Sequence, residues 1–388
     1  MTVRAIVVGG GIGGLTAAIA LRRAGVDVSI YERAQELKER GAALGVTSNA
    51  VAALRALGIH GALEAQGAVV EVFRIHDARG RQIADIPMKE LQQELGVPSV
   101  CLQRSALQRV LLDAAQGCEI QLGAKCEGFE ANGRGVRVRF ADGRSAEADI
   151  LIGADGLYSA VRQKLLGPEA PRYGGYVCWL ATIPYQHPRL TNGYVGFYWG
   201  RGTRFGLIDI GNGEAYWWGT ENRRQRADPN ESAASIKQNV LRCFEGYADE
   251  VRSAVAATPA DAVLQLDALD RPFSKQWGNG PVTLLGDAAH PMLTSLAQGA
   301  CMAMEDAVVL GRCLATTRDA VQALRRYELL RRKRTQQMVR MSRILAKIEQ
   351  FEHPAAVALR NACFRLQRPS MHREQSRPIL TFVDPVAG

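Results

Sequence analysis

Gly9-Gly10-Gly11-Ile12-Gly13-Gly14 stands between an apolar run at residues 5–8 and a helix-patterned run at residues 15–23. Strand, glycine turn and helix in that order are what a dinucleotide fingerprint requires, and they commit residues 4–31 to a βαβ unit. Gly9 permits the tight turn, Gly11 lets the main chain approach a pyrophosphate, and Gly14 lets helix and strand pack closely. Ile12 and Gly13 open the helix, whose free N–H groups and dipole favour an anion. Glu32 closes the next strand eighteen residues after Gly14, with Arg33 beside it. A carboxylate there is placed to accept hydrogen bonds from a ribose diol. Far downstream, Gly286-Asp287-Ala288-Ala289-His290-Pro291 follows a buried-strand pattern at residues 282–285, and the two segments bracket one nucleotide site.

At 388 residues the chain exceeds what one simple core usually holds, so two intimately packed domains are expected. A hydrophobic content of 47% and a charged content of 22% suit a soluble globular enzyme. The net charge of +9 comes largely from arginines late in the chain, among them Arg325, Arg326, Arg331, Arg332 and Arg334. Leu324, Tyr327, Leu330 and Met338 fall on the apolar side of the same helix pattern, so the run reads as a solvated face and not as a nucleic-acid surface. Such a surface attracts anionic substrates or a phosphorylated nicotinamide. Eight cysteines without a CxxC pair argue against zinc and against a disulfide framework, so no metal is expected. The apolar stretch 5–20 contains the fingerprint glycines and no cleavage site follows it; no apolar run reaches membrane-spanning length. A cytoplasmic protein, monomeric or homodimeric, is the expectation.

Helix patterns cover residues 49–57, stopped by Gly58, and 106–115, where Ser105 and Gln108 could form a capping box. Strands are expected within 69–87 and at 136–140 and 149–153, the last two joined through the Asp142-Gly143 turn. Between Tyr173 and Trp218 aromatic residues crowd into strand-like segments, which reads as an antiparallel sheet forming one wall of a pocket. Helices follow at 232–247 and 300–314, then a long one at 319–350 and a loosely ordered tail after Arg368. The nucleotide-binding domain is accordingly assigned to 1–70, 101–171 and 276–318. The substrate domain takes 71–100 and 172–275, and a helical region takes 319–388.

Four segments in this order resemble the single-component FAD-dependent aromatic hydroxylases, the p-hydroxybenzoate and salicylate hydroxylase family. They are the opening glycines, Gln103-Arg104-Ser105-Ala106-Leu107, Gly153 to Arg162 with Asp155-Gly156 inside it, and Leu285 to Pro291 extended through Gln298-Gly299-Ala300 to Ala307. The resemblance implies an α/β fold: a Rossmann-type FAD-binding domain, an antiparallel substrate sheet and a long C-terminal helix. It implies that Glu32 holds the adenosine ribose, Arg104 reaches the FAD phosphates, and Asp155 serves both FAD and the nicotinamide cofactor. It also implies that Asp287 takes the ribityl chain, while Pro291, Gln298 and Gly299 lie beside the isoalloxazine. NADH or NADPH would bind transiently, O2 would give a flavin hydroperoxide, and a small aromatic or heteroaromatic ring would receive the OH group. His290 is a candidate general base or a support near the flavin.

Segments around Tyr173, Gly202-Thr203-Arg204 and Met304 to Gly311 are similar to the urate hydroxylases, which would put Arg204 and Tyr216 against the substrate. Ser295 stands where that group has an acidic residue, and Thr47-Ser48-Asn49 where the family commonly has proline before asparagine. Leu293 and Leu296 suggest a greasier ring than urate. An FAD oxidoreductase that does not insert oxygen, or a flavin-binding sensor without turnover, are the competing readings.

Overall fold

The computed structural model describes residues 2–37, 42–59, 61–133 and 135–386. Strands Arg4–Val8 and Ile150–Gly153 are almost unbroken apolar runs, buried on both faces as the centre of a helix-covered parallel sheet must be. The six-stranded order is Gly278–Asn279, Val282–Leu284, Ile150–Gly153, Arg4–Val8, Asp27–Tyr31, Glu119–Gln121. All its pairs are parallel except the short one between Gly278–Asn279 and Val282–Leu284. The fingerprint helix Ile12–Arg23 packs along the central helix Gly299–Thr316, which closes the same core.

The glycines set how closely these layers approach. Gly9 has φ +110°, and a Cβ there would lie 2.4 Å from the Ala154 carbonyl oxygen. A Cβ on Gly14 would lie 1.9 Å from the carbonyl oxygen of Gly9, a backbone atom that cannot swing aside. Gly14→Ala is therefore expected to lower the free energy of unfolding by about 3 kcal/mol or more, the upper range for overpacking. Urea unfolding of the flavin-free protein checks this, and a loss below about 0.5 kcal/mol would contradict the packing described.

The second sheet has seven strands in the order Leu264–Asp270, Arg172–Pro184, Glu214–Asn222, Thr203–Asp209, Tyr194–Trp199, Val72–Asp77, Gln82–Ile86. It is antiparallel except that Tyr194–Trp199 runs parallel to Val72–Asp77. The chain leaves this sheet after residue 86 and re-enters at residue 172, and a connection that long permits a parallel pair. Alternation divides its two faces. Trp179, Ala181, Phe205, Leu207, Ala215 and Trp217 cover helices Ala233–Cys243 and Asp249–Ala257. Tyr176, Cys178, Arg204, Tyr216 and Trp218 point the other way, where Tyr176 and Cys178 pack on Leu293 and Ala346 and Arg204 reaches Ser295 and Glu349.

Four local expectations are corrected. The Asp142-Gly143 turn joins Gly135–Phe140 to the intervening strand Ser145–Ala148, and only then does Ile150–Gly153 follow. The capping box at Ser105 does not form, because helix Arg104–Ala114 starts two residues earlier than expected, with Gln103 as its N-cap; Ser105 Oγ donates to Gln103 Oε1 instead, at 3.2 Å. Beyond Arg368 the chain is helical at Pro369–Leu380, anchored by buried His372 and Leu380. In the long helix Ala320–Glu349, Arg331 is only 2% exposed, so the arginine run is not uniformly solvated. No helix among the described residues is long and apolar enough to cross a membrane.

Candidate active site

At the fingerprint, Gly11 is the extended N-cap residue of its helix, no side chain caps it, and no acidic residue lies in its first turn. Its leading N–H groups are thus presented to an anion from outside the protein. Glu32 is held at the strand end by the N–H groups of Gly10, at 2.7 Å, and Ala34, at 2.8 Å. Arg33 beside it is exposed. Asp155 accepts from Ser159 Oγ at 2.5 Å and from the N–H groups of Ala160 and Val161 at 2.7 and 3.3 Å. Burial pushes its carboxyl up while these donors pull it down. Its carboxylate is thus engaged at the start of helix Ala160–Leu166, next to Gly156 in the left-handed region at φ +78°.

Asp287 is different. Its side chain is exposed, yet burial by the surrounding protein pushes its carboxyl up, opposed by the charges of His290 and Arg104. An exposed carboxylate at this turn is open to a ligand from outside the protein. A Cβ on Gly299 would come 3.7 Å from its Oδ1, so Asp287 sits at the start of the central helix. No side chain caps that helix at Gln298, and no acidic residue lies in its first turn, which includes Ala300. Gly286 turns the chain at φ +61°, and Pro291 is buried just beyond it.

Beneath the cleft runs a buried polar network that the sequence reading did not find. Gln298 Nε2 donates to Thr47 Oγ1, and Asn49 Nδ2 donates to Gln298 Oε1, both at 2.9 Å. Asn49 also donates to Glu305 Oε1 at 2.8 Å. Glu305 pairs with Arg334 at 2.7 Å and with Arg331 at 2.8 Å. Arg331 Nε reaches Asp306 Oδ1 at 2.7 Å, and Asp306 Oδ2 meets His290 Nε2 at 2.5 Å and the Gly286 N–H at 3.2 Å. Burial works against the Asp306 charge, but His290 and Arg331 hold its carboxyl below the usual range. His290 is 0% exposed beneath Trp277, at 5.3 Å between rings, and does not open onto the cleft. Through Asp306, which also accepts from the Gly286 N–H, it is tied to the Gly286–Pro291 turn, the supporting place expected as the alternative to a general base. The available signal was two adjacent carboxylates in the otherwise apolar run 301–310.

Register lines up the face of the seven-stranded sheet that carries Tyr216 and Trp218. Thr182, Tyr216, Ile208, Val195 and Phe73 form one row across the sheet; Leu180, Trp218, Gly206, Phe197 and Ile75 form the next. Trp218 lies across Gly206, where a Cβ would be 2.2 Å from its Nε1, and Phe197 meets the Trp218 ring edge-on at 5.0 Å. Tyr216 is half-buried; burial pushes its phenol well up, with Arg104 opposing, so it stays protonated at neutral pH. Arg104 thus lies within electrostatic reach of both Asp287 and Tyr216, linking floor and wall. Arg204 occupies the third row. It is 1% exposed, packs beneath Trp218 at 5.0 Å, and its guanidinium is bonded to Glu349, Ser295 and Thr220. Of the three expected catalytic residues, Tyr216 is half-buried on this face of the sheet, while Arg204 and His290 are enclosed by protein.

Comparison with known proteins agrees with this arrangement. The family model for the FAD binding domain matches residues 2–342. The aurachin C monooxygenase/isomerase of Stigmatella aurantiaca is 38% identical over 97% of this chain and 97% of its own length. The FAD-dependent urate hydroxylase of Klebsiella pneumoniae is 35% identical over 88% of each. A crystal structure of Klebsiella pneumoniae HpxO with FAD and uric acid superposes with a TM-score of 0.91 and 31% identity, covering 97% of this chain and 96% of that one. This chain therefore belongs to the FAD binding domain family and, like those relatives, is an FAD-dependent monooxygenase.

Proposed function

We propose that the protein uses FAD, O2 and NADH or NADPH to hydroxylate a small aromatic or heteroaromatic molecule held between the cleft floor and the aromatic wall. The observation that carries this is Asp287, an exposed carboxylate at the uncapped start of the central helix, with Arg104 in electrostatic reach of both it and Tyr216. The donor set fits FAD. The fingerprint helix would take the pyrophosphate, Glu32 the adenosine ribose, Arg104 the phosphate region and Asp287 the ribityl hydroxyls. Gly156 and Asp155 would flank the nucleotide, and Pro291, Gln298, Gly299 and Ala300 would border its ring system.

When bound, FAD supplies hydride acceptance from the reduced nicotinamide and activation of O2. The chain's own residues supply position and field. The N-terminal dipole of the central helix stabilises negative charge developing beside it. Trp218, Phe197 and Phe73 orient a planar ring and exclude water, while the protonated Tyr216 hydroxyl offers a hydrogen bond to a ring substituent. The relatives named as monooxygenases favour this over a dehydrogenase or a sensor without turnover. NADH and NADPH oxidation by the FAD-loaded protein should rise at least about tenfold with a suitable ring from a panel of phenols, salicylates, quinolones and purines. Mass spectrometry should then find a product with one oxygen gained. Peroxide release without product from every ring that stimulates would defeat the proposal.

A further inference from the structure

Arg204 and Glu349 are 1% and 2% exposed and make a direct ion pair, although one lies in the middle of the substrate sheet and the other ends the long helix. Ser295, in the turn leading to Gln298, completes the group at 2.9 Å from Arg204 Nη1. The arginine lies beneath Trp218 at 5.0 Å and Tyr176 at 5.5 Å, next to the row of residues that forms the ring wall. A guanidinium so placed would ordinarily be an anion receptor. Here the protein supplies the anion itself. Arg360, from helix Pro354–Leu366, donates to the main-chain carbonyls of Glu349 and Gly200 and stacks on Trp199 at 5.2 Å, which fixes the end of the long helix against the sheet. Arg104, in electrostatic reach of Tyr216, has the Asp287 carboxylate in reach as well.

We propose that Glu349 is a specificity-determining residue. By occupying Arg204 from within the protein, it leaves the site selective for uncharged, apolar-substituted aromatic rings over anionic ones such as urate or salicylate. This rests on reading the cleft as the ring site. The physical reason is that an anionic ring on the far side of Trp218 would feel the field of the buried Glu349 carboxylate as well as that of the Arg204 guanidinium, neither of them screened by water. An uncharged ring keeps the aromatic contacts without that repulsion. Leu293, 4% exposed beside Tyr176 and Cys178, continues the apolar surface on the loop side.

The test is equilibrium titration of the FAD-loaded protein with salicylate and its uncharged counterpart salicylamide, read by flavin absorbance and tryptophan fluorescence. The parent is expected to bind salicylamide about tenfold or more tightly than salicylate, one to two powers of ten being the reach of one charge contact. In Glu349→Gln that ratio should fall or invert by about tenfold, because Arg204 then lacks its counter-charge. The double variant Arg204→Met with Glu349→Leu removes both charges, is sterically mild, and should keep the parent's preference for the uncharged ring. A parent that binds salicylate as well as salicylamide, no salicylamide binding at millimolar concentration, or an unchanged ratio in Glu349→Gln overturns the proposal. So does a gain of salicylate binding in the double variant. Because these titrations read binding and not turnover, absence of hydroxylated product would count against the monooxygenase cleft and leave the charge preference separately measurable.

Discussion

Asp287→Ala is expected to purify largely without flavin and to rebind FAD about 10- to 100-fold more weakly, the cost of losing a hydrogen bond to a charged group. The expectation comes from contrast between two aspartates in similar motifs. Among the described residues no donor is hydrogen-bonded to the Asp287 carboxylate, and it is open on the cleft floor. Removing it should barely change the stability of the flavin-free protein. Asp155 already accepts three hydrogen bonds at the start of its helix. Asp155→Ala should instead cost about 1–2 kcal/mol of stability, as loss of a helix cap does, with any loss of flavin following from that. Fluorescence titration of apoprotein with FAD, paired with urea unfolding, separates the two effects. Parent-like FAD affinity in Asp287→Ala would remove the ribityl role.

What the sequence disclosed and what it hid follow from how far each feature reaches along the chain. The fingerprint is local: glycine, strand and helix lie within thirty residues, and the requirement for a missing Cβ at Gly9 and Gly14 is written in their identity. Tyr216 and Arg204 entered through the resemblance to the urate hydroxylases, and the strand register sets both on one face of the sheet. Neither could say what covers Arg204, since Glu349 is 145 positions away. Asn49 and Glu305 are separated by 256 positions, so the network beneath the cleft had no local signature. Arg331 was misread because a basic stripe beside an apolar one usually means solvent, and only the facing helix reveals Glu305 and Asp306. The last helix was missed for a related reason. Its Pro, Ser and Arg content argues for a loop, and it is tertiary contact through His372 and Leu380 that holds it in place.

Asp306→Asn is expected to lower the free energy of unfolding by about 3–5 kcal/mol at pH 7, the loss typical of removing one partner from a buried ion pair. The substitution keeps the side chain's shape but leaves Arg331 with Glu305 alone and His290 without its charged partner, while the Gly286 N–H loses an ionic acceptor. The pH dependence fixes the cause. In the folded protein the Asp306 carboxyl lies below its unfolded value of about 3.9, because His290 and Arg331 outweigh the effect of burial. A depressed acid contributes its full stability above that unfolded value and loses it as pH falls through the folded one. The deficit of the variant should therefore be constant through neutral pH and shrink as the solution becomes strongly acidic, where the parent loses the same interaction. Urea unfolding at pH 7, 5 and 3 measures this directly. A deficit below about 1 kcal/mol at pH 7, or one that grows toward acid, would mean that the pair does not hold the turn under the flavin site. The Gly286–Asp287 segment would then owe its position to the glycine and to packing on Ala303 alone.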